Sequence, residues 1–450
     1  MTATLLAPAD HRAWLDLLAG GGAADVLAAA LAADGAELDA WTIDGVHARP
    51  GAEVTVGYDV VARRGSGPAA RTAREHLFAT SAAAGALGPV VWAGGAERGV
   101  VRLDSSDRSL HVWRHPHDPA LPGLAAGSTP ARVADRLRSA GVDAEVVALE
   151  TVTYRPLRRA VLRARTDGAA GPRTVYVKVV RPSRVRDLVR RHDLFFREPD
   201  GRARRAGRGG PDASQGGAGR ALAAPRVLSW TADGVVLLSE VPGESVAARV
   251  AATPALGQQD AVDPAEILRA AAGLPAAGVV LARRPAWADR LDRYASALPV
   301  VHDVDPGRVA RLARRIGAVA AGRDPGPVVT THGDLHAANL LLAPDAASRW
   351  PRVGAVLDVD TLGPGHRVDD LACAVAHLAV LPTLAPGTYA GVGGLLDAWL
   401  EAFDAAVDPA LLRSRAAAVV VSLAVGAADA GLATAWLAVA EDLVDGAASS

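Results

Sequence analysis

The sequence predicts an α+β protein of two main parts, sheets first and helices after. Three observations carry this. Two sets of short strand-like runs fill much of the first 241 residues, and the apolar spacing turns helical from about residue 243. One polar stretch, THGDLHAANLLL at 331–342, then interrupts the helical half and runs into leucines. At 450 residues the chain is long for one ordinary domain, and its 50% hydrophobic content can bury a sizeable core. A net charge of −1 gives no electrostatic case for nucleic acid or an anionic membrane surface. The single cysteine, Cys373, excludes an intrachain disulfide framework and suits a reducing compartment. The opening MTATLLAPADHRAWLDLL lacks the basic-then-apolar plan of a secretory signal. The most apolar run, from Ala416, is interrupted at Asp429 before it reaches bilayer length and reads as a buried C-terminal helix. The expectation is a cytoplasmic monomer or homodimer with no membrane and no nucleic-acid partner.

Taken in order, residues 10–33 have helical spacing broken by glycines. Strand-like runs follow at 52–61, 76–82, 89–93, 99–104 and 109–115, giving a small β-rich unit over 1–125. HDPALPGLAAGSTP (117–130) reads as a linker and 131–141 as a helix. A second set of strands falls at 145–154, 158–167 and 173–182, followed by a helix at 183–196. VHARPGAEVTVGYDV and VTYRPLRRAVLRAR share a valine, a basic-proline pair and a strand, a faint sign of a repeated hairpin. The Gly-, Arg- and Pro-rich segment 198–222 has no apolar period and reads as a disordered insertion in the second unit, 126–242. Two short strands around 232–234 close that unit at Pro242-Gly243. The helical half, 243–450, contains the polar loop.

In that loop Asp334 and Asn339 stand five positions apart, and Asp358 follows after a strand, a turn and a strand. Such a path can bring all three to one hairpin mouth. Asn339 and Asp358 supply hard oxygen donors suited to Mg²⁺, and Asp334, off the metal, can take a proton from a hydroxyl. A different reading gives His332, Asp334 and His336 a zinc ion for hydrolysis, but leaves Asn339 without a task. Lys178 is the one charge in the apolar strand TVYVKVV. It either pairs with phosphate or snorkels from an edge strand.

The order HGDLHAAN, LDVD and GPGHRVDDLA resembles the aminoglycoside phosphotransferase and choline kinase superfamily. The layout is most like its maltokinase-like members, which carry an N-terminal cap. The resemblance implies a bilobal, protein-kinase-like fold: a cap over 1–125, a β-rich lobe over 126–242 and a helical lobe over 243–450. It implies ATP and Mg²⁺, Asp334 as catalytic base, Asn339 and Asp358 as metal ligands and Lys178 on the α/β-phosphates. The backbone of Glu240 and Val241 would meet adenine, and Asp370 would support the catalytic loop. The acceptor would be a hydroxylated small molecule, with a sugar or amino sugar favoured and Trp287, Trp399 and Trp436 as candidate stacking platforms. Two departures are plain. The helix at 183–196 has Asp187 and Asp193 but no glutamate to orient Lys178, and the turn Arg155–Arg159 lacks glycine. Those features keep a non-catalytic binding protein on the same scaffold in play.

Overall fold

The computed structural model describes residues 8–48, 53–83, 87, 100–104, 109–169, 171–196, 222–252, 262–343 and 351–448. The expected strand 89–93 lies outside them, as does the insertion 198–222 except for Leu222, which is buried. The chain forms two compact units, Met1–Val189 with Val227–Glu240, and Arg190–Arg226 with Val241–Ser450. The first is β-rich and the second mostly helical, as the sequence predicts.

The first unit holds two five-stranded sheets with one and the same strand order. β1 (Ala36–Ala48), β2 (Val54–Arg64), β3 (Arg71–Thr80), β4 (Val100–Asp104) and β5 (Ser109–Arg114) are arranged β1-β2-β3-β5-β4. β6 (Ala144–Arg155), β7 (Arg159–Gly168), β8 (Arg173–Val180), β9 (Val227–Trp230) and β10 (Val235–Ser239) are arranged β6-β7-β8-β10-β9. The faint hairpin similarity in the sequence thus falls on the first hairpin of each sheet. Strand β1 is absent from the sequence expectation. It is an edge strand, largely exposed, with Asp39, Asp44 and Gly45 breaking any apolar alternation.

Alternation in the other strands sets the cores. Val54, Val56, Tyr58 and Val60 of β2 pack on Leu18, Leu27 and Leu31 of the helices Pro8–Leu18 and Ala23–Ala32. In the second sheet Val175, Val177 and Val179 face Leu121, Leu124, Val133 and Leu137. Val180, Val236 and Leu238 face Val185 and Leu188 of the helix Pro182–Asp193.

The stretch read as a linker, 117–130, is instead part of the first unit's interior, with Asp118, Leu121 and Leu124 at most 2% exposed. Its alanines, glycines and prolines look like linker composition, but its leucines belong to the second sheet's core.

In the second unit the expected C-terminal helix is two helices, Pro409–Ala424 and Ala430–Ala448, parted near Gly426. The first is buried on nearly every side from Ala416 to Val421. No single helix among the described residues is long and apolar enough to cross a membrane. The pair His11–Leu18 and Ala23–Ala32 reaches that length and composition only together, across a 67° bend.

Candidate active site

Two short ladders build the polar loop. β12 (Val328–Thr331) pairs antiparallel with β15 (Gly363–His366), ending at Thr331 opposite Gly363. β13 (Leu340–Ala343) pairs with the short β11 (Glu244–Ser245) on one side and with β14 (Arg352–Val356) on the other, where Leu340 stands opposite Val356. The segments between them, 332–339 and 357–362, are therefore forced side by side. Leu357 donates its N–H to Asn339 O at 2.8 Å, and Thr361 Oγ1 donates to His332 O at 2.7 Å. Asp334, Asn339 and Asp358 all lie on these two adjacent segments.

Each turn of the loop has a local cause. Gly333 sits at φ 78°, and a Cβ there would stand 3.1 Å from Thr361, so the residue before Asp334 has to be glycine. Asp358 is itself left-handed at φ 51°, ψ 50°, a conformation that costs a non-glycine residue about 1 kcal/mol or more. Asp370, in the first turn of the helix Arg367–Ala379, accepts the His332 and Gly333 N–H groups, both at 2.8 Å. It is 1% exposed, and burial pushes its carboxyl up to about 6 against the pull of His332 and the two amides.

Asp334 Oδ1 accepts from Trp287 Nε1 at 3.2 Å and lies 3.8 Å from the Cys373 thiol. Its Oδ2 is 3.9 Å from His336 Nε2. Asn339 donates through Nδ2 to Asp334 O at 2.9 Å and contacts His336 Nε2 at 3.1 Å, which leaves its Oδ1 for another partner. That oxygen and the Asp358 carboxylate are hard donors, so the residues fit Mg²⁺. Burial lowers His336, opposed by the Asp334 charge, and burial lowers His377 to about 3. His332 turns the other way, with Nε2 on Leu357 O at 2.8 Å. The zinc trio His332, Asp334 and His336 is therefore not assembled.

Of the three tryptophans, Trp399 and Trp436 are core residues, and Trp287 alone reaches the loop. It lines a pocket with Arg283, Arg284, Arg290, Thr331, Gly333 and Asp369. Arg290 lies 5.4 Å over the Trp287 ring, Arg415 is ion-paired with Asp369 and Asp289, and Arg283 with Asp289 at 3.2 Å.

In the first unit Lys178 is 5% exposed on the central strand β8, between Val161 of β7 and Val236 of β10. Snorkelling from an edge is thereby excluded. Its alternation with Val177 and Val179 places it on the sheet face that carries the helix Pro182–Asp193. Phe78 holds the matching position of the first sheet, third from the end of its third strand, and stacks on Trp113 at 5.6 Å. Glu240 and Val241 stand where the chain passes from the first unit to the second.

The glycine-free turn after β6 is wired inward. Leu157, buried at φ 62°, donates its N–H to Asp118 Oδ2 at 2.7 Å and accepts from Arg181 Nε at 2.6 Å. Tyr154 OH donates to the same Asp118 oxygen at 2.7 Å, and Trp113 Nε1 reaches Tyr154 OH at 3.4 Å. Arg158 pairs with Glu53 at 3.4 Å. Burial raises Asp118 despite these donors. Asp118→Ala leaves the buried Ala120 and Leu157 amides and the Tyr154 hydroxyl without an acceptor. It is expected to lower unfolding stability by about 3 kcal/mol in a denaturant titration. A loss under about 0.5 kcal/mol would show that the turn does not depend on Asp118.

Residues 136–407, more than half of the chain, match the model of the phosphotransferase enzyme family. No curated protein sequence matches the chain. Among solved structures, the aminoglycoside phosphotransferase APH(4)-Ia (thermostable mutant) is 15% identical, covering 72% of this chain and 100% of that one, at a TM-score of 0.45. APH(3'')-Id from Streptomyces rimosus is 21% identical over 65% and 98%, TM-score 0.40. The macrolide 2'-phosphotransferase MphH from Brachybacterium faecium is 18% identical over 69% and 97%, TM-score 0.33. The chain belongs to the phosphotransferase enzyme family.

Proposed function

We propose that this phosphotransferase moves the γ-phosphoryl group of ATP to a hydroxyl of a sugar-like small molecule. The observation that carries the reading is the joint placement of Asp334, Asn339 and Asp358 on two segments locked by paired ladders, with Asp370 clamping the loop amides. Asp334 is assigned as the base. Trp287 N–H holds its Oδ1, which leaves Oδ2 to take the hydroxyl proton. Asn339 Oδ1 and Asp358 would hold Mg²⁺, which when bound neutralises charge on the phosphate oxygens. Lys178 is assigned to the phosphates on the resemblance to kinase-like enzymes, whose phosphate-pairing lysine likewise stands on the third strand of its sheet. The backbone of Glu240 and Val241 is assigned to adenine. We take 1–125 as a cap ahead of the kinase-like lobes 126–242 and 243–450, a layout like that of maltokinase-like members, which the extra sheet before the family-matched residues supports.

The Trp287 pocket bears on the acceptor. The Trp287 indole lines the pocket and its N–H edge meets the base, which puts an apolar ring of the kind that packs on a sugar next to Asp334. The pocket lining carries three guanidiniums, of Arg283, Arg284 and Arg290, against the carboxylate of Asp369, which Arg415 pairs, and that of Asp334 beside Trp287. That balance supports neutral or acidic sugars over polycationic aminoglycosides. The test is Mg²⁺-dependent ATP consumption across neutral sugars, sugar acids, amino sugars, aminoglycosides and amino alcohols. Neutral or acidic sugars are expected to give kcat/KM at least about tenfold above aminoglycosides, as removal of one or two charge clashes implies. A preference for aminoglycosides would overturn the acceptor assignment. No consumption with any acceptor, alongside intact Mg-ATP binding, would favour a binding protein on the same scaffold.

A further inference from the structure

The helix Arg367–Ala379 carries chemistry that phosphoryl transfer leaves unused. Asp370, Cys373 and His377 are spaced by three and four residues, so they share one helical face. Asp370 clamps the loop. One turn beyond Cys373, the His377 ring stacks on His336, with centroids 4.4 Å apart and planes 25° apart. The two rings and Asp334 each offer a ligand atom, and these atoms all lie within 4.8 Å of one another. All three residues are partly buried, and among the described residues the His377 ring has no hydrogen-bond partner.

We propose that Asp334, His336 and His377 form a binding site for a divalent transition ion of the zinc class, and that its occupation disables Asp334 as the base. Two imidazoles and one carboxylate are the donors such an ion prefers, whereas Mg²⁺ takes oxygen donors like those of Asn339 and Asp358. The site is therefore distinct from the nucleotide-metal pair by donor chemistry as well as by residue. Tetrahedral zinc at about 2.0–2.2 Å from each donor sets the donors about 3.4 Å apart. The present spread closes to that value with donor shifts of about 1 Å and with the two rings turned out of their stack, so that both lone pairs aim at one ion. Asn339 Nδ2 meets His336 Nε2 at 3.1 Å, and an ion bound to that nitrogen, which lies 3.9 Å from Asp334 Oδ2, would take the place of this amide contact. Water would complete the coordination.

Blocking follows from the shared ligand. An Asp334 carboxylate that coordinates the ion gives up negative charge to it and so becomes a much weaker base, and the ion occupies the approach to Oδ2 that the acceptor hydroxyl would use. Only this inhibitory clause rests on Asp334 being the base. The binding clause stands on the geometry of the three side chains.

The experiment uses the full chain, freed of metal with a chelator and held in excess MgCl₂, and titrates it with CoCl₂. The expected result is one equivalent of Co²⁺ with the intense visible bands of a four- or five-coordinate nitrogen and oxygen site, displaced by ZnCl₂. His377→Phe keeps an aromatic ring against His336 and removes one donor. It is expected to abolish those bands and, with Mg²⁺ alone, to keep turnover within about threefold while resisting ZnCl₂ that arrests the wild type. His377→Gln serves as a second variant if phenylalanine impairs folding. The binding proposal is overturned if no saturable bands form, or if the bands are the same in both variants and the wild type. Bound Zn²⁺ with undiminished turnover overturns the inhibitory clause. A wild type that turns over no acceptor but titrates normally with Co²⁺ refutes the phosphotransfer reading and leaves the metal site standing.

Discussion

Asp334→Asn is expected to lower kcat about a thousandfold while leaving the Kd for Mg-ATP within a few fold of the wild type. A positioned general base contributes roughly 10²–10⁴. The substitution is nearly isosteric, and the asparagine carbonyl oxygen can still accept from Trp287 Nε1, which now meets Asp334 Oδ1 at 3.2 Å. The amide nitrogen replaces Oδ2, the oxygen left for the acceptor hydroxyl, and an amide cannot take its proton. Asn339 and Asp358 keep their backbone supports, because the Leu357 N–H to Asn339 O bond does not involve the Asp334 side chain. Single-turnover kinetics with an acceptor found by the screen, paired with calorimetric titration of Mg-ATP, separates the two quantities. Near-native turnover would remove Asp334 from the role of base. A parallel collapse of nucleotide affinity would instead make it part of the metal site.

Asp334 was legible because its partners are close in sequence. Asp334, Asn339 and Asp358 fall within one β-loop-β-turn-β passage, where strand pairing converts spacing directly into proximity. Asp370 was legible for a related reason: a helix start just after β15 returns its first turn to the loop it supports. Trp287 lies 47 residues before the aspartate it contacts, joined to it by helices whose packing no local pattern encodes. It was one of three tryptophans that composition could not rank, and burial ranked them. His377 did leave a signal: Asp370, Cys373 and His377 are polar or reactive residues on a helix otherwise almost wholly apolar.

The turn after β6 shows the opposite limit. Its lack of glycine was visible, but the reason was not. The acceptor for the Leu157 amide is Asp118, 39 residues upstream in a stretch whose composition imitates a linker. The turn holds Leu157 at a left-handed φ without glycine because its amide is fixed by the carboxylate and its side chain is buried. The same holds for the first sheet as a whole. Its strand order equals that of the second, while the position matching Lys178 is Phe78, stacked on Trp113.

Asp370→Asn is expected to lower kcat about a hundredfold and to flatten the dependence of stability on pH between about 4 and 6. Asp370 holds His332 N–H on Oδ2 and Gly333 N–H on Oδ1, both at 2.8 Å. Asparagine has one acceptor oxygen, so one of the two amides must face an NH₂ group, and two donors repel. Gly333 cannot retreat easily, since its positive φ brings it close to Thr361. The strain therefore passes to the neighbouring Asp334, and a displacement of about 1 Å at a reacting group costs on the order of 10² in rate. The pH term has a definite sign. Burial raises Asp370 from 3.8 to about 6, so between those values the native state binds its proton more tightly than the unfolded chain does. Its contribution is full below about pH 4 and is lost as pH rises through about 6, a span worth roughly 3 kcal/mol. Asparagine does not titrate and removes that slope. At neutral pH the relief of a buried charge offsets much of the donor conflict, so the thermal midpoint should move far less than kcat does. That contrast is diagnostic. A structural role alone would lower midpoint and activity together, and an anchor of the catalytic loop loses activity in a protein that remains folded.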